Sequence, residues 1–269
     1  MKPITLMAHL VANYPDPSGC LAAAQALVEA GTRYLEVQIP FSDPSADGQS
    51  IMHACAATLA AGYSVSDGLQ LVSELKRLYP DIPVFVMAYA NLVVSPGVDT
   101  FVGSLHRAGV GGLIVPDLPF DSDEGLSAAC DGFLDPPISA VPVAAPSMTR
   151  ERLTGMVALG RPYLYAALRT GITGQRTEIA DSTRTFLELC RSGGSRVLGG
   201  FGIRGHAQAL QVADLVHAVV AGSVFVDAIT QAVEAHGLVR NGTFQGSGRV
   251  RDEAIRDMVR ERTREIIHG

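Results

Sequence analysis

Lysine is nearly absent, since the 269 residues hold only Lys2 and Lys76. One stands at the terminus and the other in a stretch with helical periodicity, so an aldolase working through a Schiff base on a strand lysine is excluded. Paired cysteines are lacking too. Cys20, Cys55, Cys130 and Cys190 lie far apart without C-x-x-C spacing, each among alanines and leucines, and read as small core thiols. The seven histidines form no H-x-x-x-H or H-E-x-x-H group, so no metal site is expected. Positive charge is in deficit: 21 Lys and Arg face 27 Asp and Glu, a formal net charge of −6. That leaves no bulk field for nucleic acid or anionic lipid, and any phosphate must be met locally. No apolar run approaches the ~20 residues of a membrane span. Met1-Lys2-Pro3-Ile4-Thr5 leads directly into a strand-like run without a signal-peptide pattern, so a cytoplasmic protein is expected. At 47% hydrophobic and 18% charged, the composition is that of a soluble globular protein with a well-filled core.

Short Val/Ile/Leu-rich runs alternate with longer stretches of 3.6-residue periodicity. Strands are expected at 4–11, 33–39, 82–89, 111–116, 138–144, 162–168, 196–200 and 216–221. Helices are expected near 18–31, 66–79, 97–108, 122–131, 149–159, 178–192, 205–212 and 223–236, with an additional one near 50–61. Strands that run continuously apolar are buried on both faces, which implies a parallel sheet covered by helices. Eight such units fit a (β/α)8 barrel, the TIM-barrel class. A doubly wound sheet usually opens on a glycine-rich dinucleotide turn, and Val11-Ala12-Asn13-Tyr14-Pro15-Asp16-Pro17 is none. Residues 1–238 are therefore read as the barrel, and 239–269 as a glycine-rich connector followed by a C-terminal amphipathic helix. Val250, Ala254, Ile255, Met258 and Val259 are expected on that helix's apolar face. Its six arginines interleave with five acids, as on a solvated face against the barrel or a partner rather than a nucleic-acid patch.

Barrels of this class place their chemistry on the loops after the strands. Glu36 interrupts an apolar strand, and on its inward face it would reach the barrel mouth, where a carboxylate stripped of water can hand over and take up protons. The alternative is a strand-end charge that reaches water or an arginine. Asp47, from the following turn, would stand above the same mouth and share the work by staying ionised. Asp43, before Pro44, reads as a turn former. Glycines recur after strands six to eight, in Gly171-Ile172-Thr173-Gly174, Gly199-Gly200-Phe201-Gly202 and Gly222-Ser223. They would let backbone N–H groups close on one anion, with Ser223 opening a helix, and make a phosphate cup nearly free of arginine. Tyr89, Asn91, Asp117, Tyr165 and Arg169 also lie at strand ends, where structural roles serve as well as functional ones. Among the histidines only His9 is placed to see the mouth. Ile51, Met87 and Phe201 would line an apolar slot too large for a bare phosphosugar.

These residues resemble the α subunit of tryptophan synthase. The resemblance is carried by Glu36-Val37-Gln38-Ile39-Pro40-Phe41-Ser42-Asp43-Pro44 with Ala46-Asp47-Gly48, by Met87-Ala88-Tyr89-Ala90-Asn91, by Val115-Pro116-Asp117-Leu118-Pro119, by Arg169-Thr170-Gly171-Ile172-Thr173-Gly174, and by Gly200-Phe201-Gly202-Ile203 with Gly222-Ser223. It implies a (β/α)8 barrel that cleaves indole-3-glycerol phosphate by a retro-aldol reaction to indole and glyceraldehyde 3-phosphate. It also implies an α2β2 complex whose β partner carries pyridoxal phosphate, this chain needing no cofactor. Glu36 matches the general acid/base, Asp47 the aspartate on the indole N–H and Tyr165 the active-site tyrosine. Gly174, Gly202, Gly222 and Ser223 match the phosphate-binding positions, and Thr173 the mobile-loop threonine; Met87, Tyr89 and Phe201 are counted as substrate-binding. The sequence departs from the family pattern at Asn13, where glycine is usual, and at Ser45 and Gln49, where leucine and proline are usual. A stand-alone indole-forming lyase, and a non-catalytic barrel that regulates a β subunit, are the alternatives the resemblance leaves open.

Overall fold

The computed structural model describes residues 4–168, 181–200, 202–235, 239–240, 243–244 and 248–269. Nine parallel strands follow one another around a ring: β1 (Leu6–Val11), β2 (Tyr34–Gln38), β3 (Val84–Met87), β4 (Gly112–Ile114), β5 (Ser139–Val141), β6 (Val143–Ala144), β7 (Tyr163–Ala167), β8 (Arg196–Gly200) and β9 (Ala218–Ala221). Their order is β5-β4-β3-β2-β1-β9-β8-β7-β6. β5 and β6 are two pieces of one strand position parted by Pro142, so the ends of that order meet and eight positions form the barrel. The single strand expected over 138–144 is thereby corrected. Proline has no N–H to give to a ladder, and the chain changes neighbour there: β5 pairs with β4 and β6 with β7. The Pro142 carbonyl still accepts from Tyr165 N at 2.9 Å.

Helices alternate with the strands: α1 (Pro17–Glu29), α2 (Gln49–Ala60), α3 (Val65–Leu78), α4 (Ala90–Val94), α5 (Val98–Arg107), α6 (Leu126–Asp131), α7 (Arg150–Ala158), α8 (Asp181–Arg191), α9 (His206–Val212) and α10 (Ser223–Ala235). α2 is the additional helix that the periodicity suggests, whereas the single turn of α4 was not expected. Asn13 adopts φ 59° in the first loop, a left-handed conformation that asparagine tolerates better than most residues. No helix among the described residues is long and apolar enough to cross a membrane. The four cysteines are buried and unpaired, as expected.

Alternation along each strand sorts side chains into two cores. Leu35, Val37, Val84, Val86, Leu164 and Ala166 face outward into the layer shared with the helices. Met7, Phe85, Met87, Ile114, Tyr165 and Leu198 face inward and fill the barrel. At the strands' amino-terminal end the interior is closed by aromatic packing: Phe85 meets Tyr34 and Tyr163 edge-on at 6.1 and 5.0 Å, and Tyr34 hydroxyl pairs with His217 Nε2 at 2.7 Å.

Beyond α10 come the two-residue strands β10 (Val239–Arg240) and β11 (Thr243–Phe244), paired antiparallel, and then α11 (Gly248–His268). α11 lies across α1 and α10. Its buried seam is Arg251, Ile255, Val259, Thr263 and Ile266, one residue displaced from the expected face at its start: Val250 is 53% exposed and Arg251 is 8% exposed. The shift has a local cause. Asp16, the N-cap of α1, accepts from Gly19 N at 3.0 Å and also receives the Arg251 guanidinium, which reaches Ser18 Oγ at 2.6 Å. Turning Val250 inward would leave that cap carboxylate without its cation. On this geometry Ile255→Ala lowers stability by about 2–5 kcal/mol in urea unfolding, while Val250→Ala stays within about 0.5 kcal/mol. Equal losses would place the helix on the wrong face.

Candidate active site

The carboxyl ends of the strands surround a cleft of about 410 Å³ lined by His9, Glu36, Asp47, Ile51, Met87, Tyr165, Gly202, Ile203, Val220, Gly222 and Ser223. β2 delivers the first carboxylate. Because Leu35 and Val37 face the helices, Glu36 and Gln38 must face the interior, and both are at most 1% exposed. Glu36 Oε2 lies 3.0 Å from His9 Nδ1 on the neighbouring strand, while Oε1 has no partner among the described residues.

Asp47 arrives from the turn after β2, where its N–H closes on the Pro44 carbonyl at 3.0 Å. Its Oδ2 accepts from Gln38 Nε2 at 2.7 Å and from Tyr89 hydroxyl at 2.8 Å. Burial holds the Asp47 carboxyl above its ordinary 3.8, and the nearby Glu36 charge adds to this; His9, Gln38 and Tyr89 pull the other way without cancelling it. Tyr165, inward on β7, has its phenol pushed far up by burial and then by the charges of Glu36 and Asp47, so it stands in the cleft as a neutral hydroxyl. A Cβ on Gly200 would lie 2.8 Å from Tyr165 Cζ, so β8 must carry glycine there to seat the ring.

The part of the rim after β8 and β9 is made by Gly202, Gly222 and the first turn of α10, whose Ser223 is 8% exposed. Backbone N–H groups at a helix start favour an anion. Arg204 stands beside this rim, its Nη1 3.4 Å from Ser223 Oγ and its Nη2 paired with Asp227 Oδ2 at 2.6 Å.

Against known families, the model for the tryptophan synthase alpha chain matches residues 2–248. The chain belongs to that family. The tryptophan synthase alpha chain of Helicobacter hepaticus is 34% identical over 232 residues, covering 84% of this chain and 86% of that one. That of Mycobacterium tuberculosis is 36% identical over 230 residues, covering 85% and 83%. Among solved structures, a tryptophan synthase of M. tuberculosis superposes with TM-score 0.80 at 32% identity over 99% of this chain and 94% of that one. A tryptophan synthase complex from Pyrococcus furiosus, at 24% identity, shares the fold with TM-score 0.81, covering 100% and 99%.

Within this alpha-chain barrel, the residues singled out from sequence fall into three groups. Glu36, Asp47, Tyr165, Met87, Gly202, Gly222, Ser223 and Ile51 come together around the cleft. Tyr89 does not line it: the ring is 1% exposed, stacks on Phe41 at 5.2 Å, and its hydroxyl both accepts from Ala46 N and donates to Asp47. Its place is behind the aspartate, as a support. Thr173, Gly174, Phe201 and Arg169 lie outside the described residues. Asp117 accepts from Ala90 N at 2.8 Å and so holds the start of α4. Lys76 donates to the carbonyls of Pro80 and Ile82 at 2.7 and 3.0 Å, outside the barrel. Among the described residues no three His, Cys, Asp or Glu side chains gather as a metal site. Gln38 and Arg204 were missed by sequence reasoning. Gln38 had a usable signal, since a second polar residue two positions after Glu36 must share its face; Arg204 had none beyond its nearness to the glycine turn.

Since the folded chain holds its proton on Asp47 above 3.8, the unfolded chain ionises first as pH rises, and folding stability falls until Asp47 itself has ionised. Asparagine carries no such charge and still accepts from Gln38 and Tyr89. The urea midpoint of Asp47→Asn minus that of the wild type is therefore expected to climb as pH rises from about 3.8 through the folded pKa, then level off. A difference that is flat with pH would show that the burial of Asp47 costs the fold nothing.

Proposed function

We propose that the chain cleaves indole-3-glycerol phosphate to indole and glyceraldehyde 3-phosphate. The observation that carries this reading is the convergence of two buried carboxylates on one cleft, with Ile51, Met87 and a helix start lining the same space. A ligand with an apolar bicycle at one end and a phosphate at the other suits that lining. Indole leaves poorly as a carbanion. Protonating its C3 first turns the ring into a cationic electron sink, after which the carbon–carbon bond breaks as the glycerol hydroxyl loses its proton. Glu36 Oε1 is the oxygen for both transfers: it gives one proton to C3 and takes one from the hydroxyl, so the residue ends as it began. Asp47, with Oδ2 held by Gln38 and Tyr89, offers Oδ1 to the indole N–H and stabilises the cation. Tyr165 orients Glu36 and the substrate. Gly202, Gly222, Ser223 and Arg204 receive the phosphate, and Thr173, Gly174 and Phe201 are proposed to complete the enclosure. Water exclusion protects the intermediate.

The chemistry asks for no cofactor on this chain. Family membership supports a role in tryptophan biosynthesis beside a β subunit that carries pyridoxal phosphate. Purified chain, alone and with a tryptophan synthase β subunit, is expected to release indole from indole-3-glycerol phosphate. Glu36→Gln is expected to bind substrate and release none; release at the wild-type rate would sink the assignment. Arg204→Ala, which leaves the backbone donors in place, is expected to raise KM about threefold to tenfold with kcat little changed. An unchanged KM would remove Arg204 from the phosphate site.

A further inference from the structure

One titratable group in the cleft has no part in that reaction. His9 faces inward from β1 at the register step opposite Glu36. Its Nδ1 lies 3.0 Å from Glu36 Oε2, with side-chain exposures of 5% and 2%. The ring is clamped from the other side, because a Cβ on Gly222 would lie 3.2 Å from it. Gln38, the next inward residue of β2, spends its Nε2 on Asp47, and its side chain also hydrogen-bonds the His9 ring. Glu36, His9, Gln38 and Asp47 thus form a row across the floor of the cleft. Glu36 and Asp47 are the charged groups facing the imidazole, from β2 and the turn after it. Tyr165 faces the same cleft from β7 as a phenol, and the turn into α10 presents the uncharged Gly222 and Ser223.

A carboxylate buried for structure alone is ordinarily satisfied at both oxygens. Here one oxygen is held by the ring and the other, on a residue that lines the cleft, has no partner among the described residues. We propose that His9 is a positioning residue for Glu36, donating Nδ1–H to Oε2 so that Oε1 alone handles the substrate's protons, and that a positive charge on its ring faces the carboxylate Glu36 becomes when it gives up a proton. The inference rests on the reaction proposed above. Burial on its own would drive the proton off the ring, but the charge and hydrogen bond of Glu36, aided by Asp47 and Gln38, outweigh it and hold His9 above its ordinary 6.5. A protonated ring stabilises the Glu36 carboxylate left after proton donation to C3, and that carboxylate in turn favours the charged ring. It keeps its own proton throughout, and the hydroxyl proton restores Glu36.

The test is the pH profile of kcat for wild type and His9→Asn, since asparagine offers an N–H but no titrating charge. At pH 7 the variant is expected to lose about 10- to 100-fold in kcat with KM within about threefold. The ratio of the two rates should shrink as pH rises and the wild-type ring loses its proton. A ratio that does not vary with pH would reduce His9 to packing and overturn the proposal. Histidine-directed ¹⁵N NMR gives a second arm that needs neither turnover nor the His9 variant. His9 is expected to be an imidazolium at pH 7 in the wild type and to titrate at lower pH in Glu36→Gln; a neutral ring in the wild type, or one indifferent to Glu36, overturns it. Absence of indole release from the wild type would instead reject the proposed reaction, and the NMR arm would still decide whether His9 and Glu36 form a charged pair.

Discussion

A parallel barrel buries each strand on both faces, so a carboxylate on a strand must be compensated inside the fold or lose several kcal/mol to desolvation. Glu36 sets that constraint, and the arrangement of the cleft follows from it. His9 is opposite because the β1–β2 register puts it there, and Gly222 lets the His9 ring pack close, since a Cβ there would stand 3.2 Å from it. Asp47 repeats the problem one turn later and is met by Gln38 and Tyr89. The compensation is incomplete at both carboxylates. Burial still leaves Asp47 above its ordinary pKa, and Glu36 Oε1 has no partner among the described residues. A site that satisfied every oxygen would be more stable and would have nothing left to offer a ligand.

The barrel was legible from sequence because its strongest signal, continuous apolar strands alternating with amphipathic helices, is also its largest energy. The failures came where a single residue decided the outcome. Pro142 parts the fifth strand position because it cannot donate to a ladder, a fact visible in the sequence but outweighed there by the apolar run around it. At the C-terminal helix, apolar periodicity put Val250 on the inner face and the arginines on the solvated one, whereas the structure turns Arg251 inward to Asp16, 235 residues away in sequence. Side-chain pairing across such distances leaves no trace in a local pattern.

The site was legible to a different degree. Alternation from Glu36 puts its side chain inward, and the same rule applied one step further reaches Gln38, which polarity alone did not recommend. Tyr89 shows the limit of reading strand ends as cleft lining: the chain bends after β3, and its hydroxyl turns behind the Asp47 turn instead of into the open space. His9 was placed at the mouth by its strand position, but its pairing with Glu36 depends on the register between β1 and β2, which alternation within either strand does not specify.

Gly222 belongs to both ends of the cleft. It precedes Ser223 at the start of α10, where backbone N–H groups favour an anion, and it packs on the ring of His9, where Glu36 is held. An anion at the helix start and a positive charge on His9 attract one another across a buried, low-dielectric gap, so each favours the other's presence. By this argument the phosphate end of the proposed ligand does more than anchor it: an anion at the helix start raises the proton affinity of His9 and strengthens the charge that faces Glu36. The glycine turn proposed to receive the phosphate and the strand that carries Glu36 are then one electrostatic unit, joined through a single imidazole.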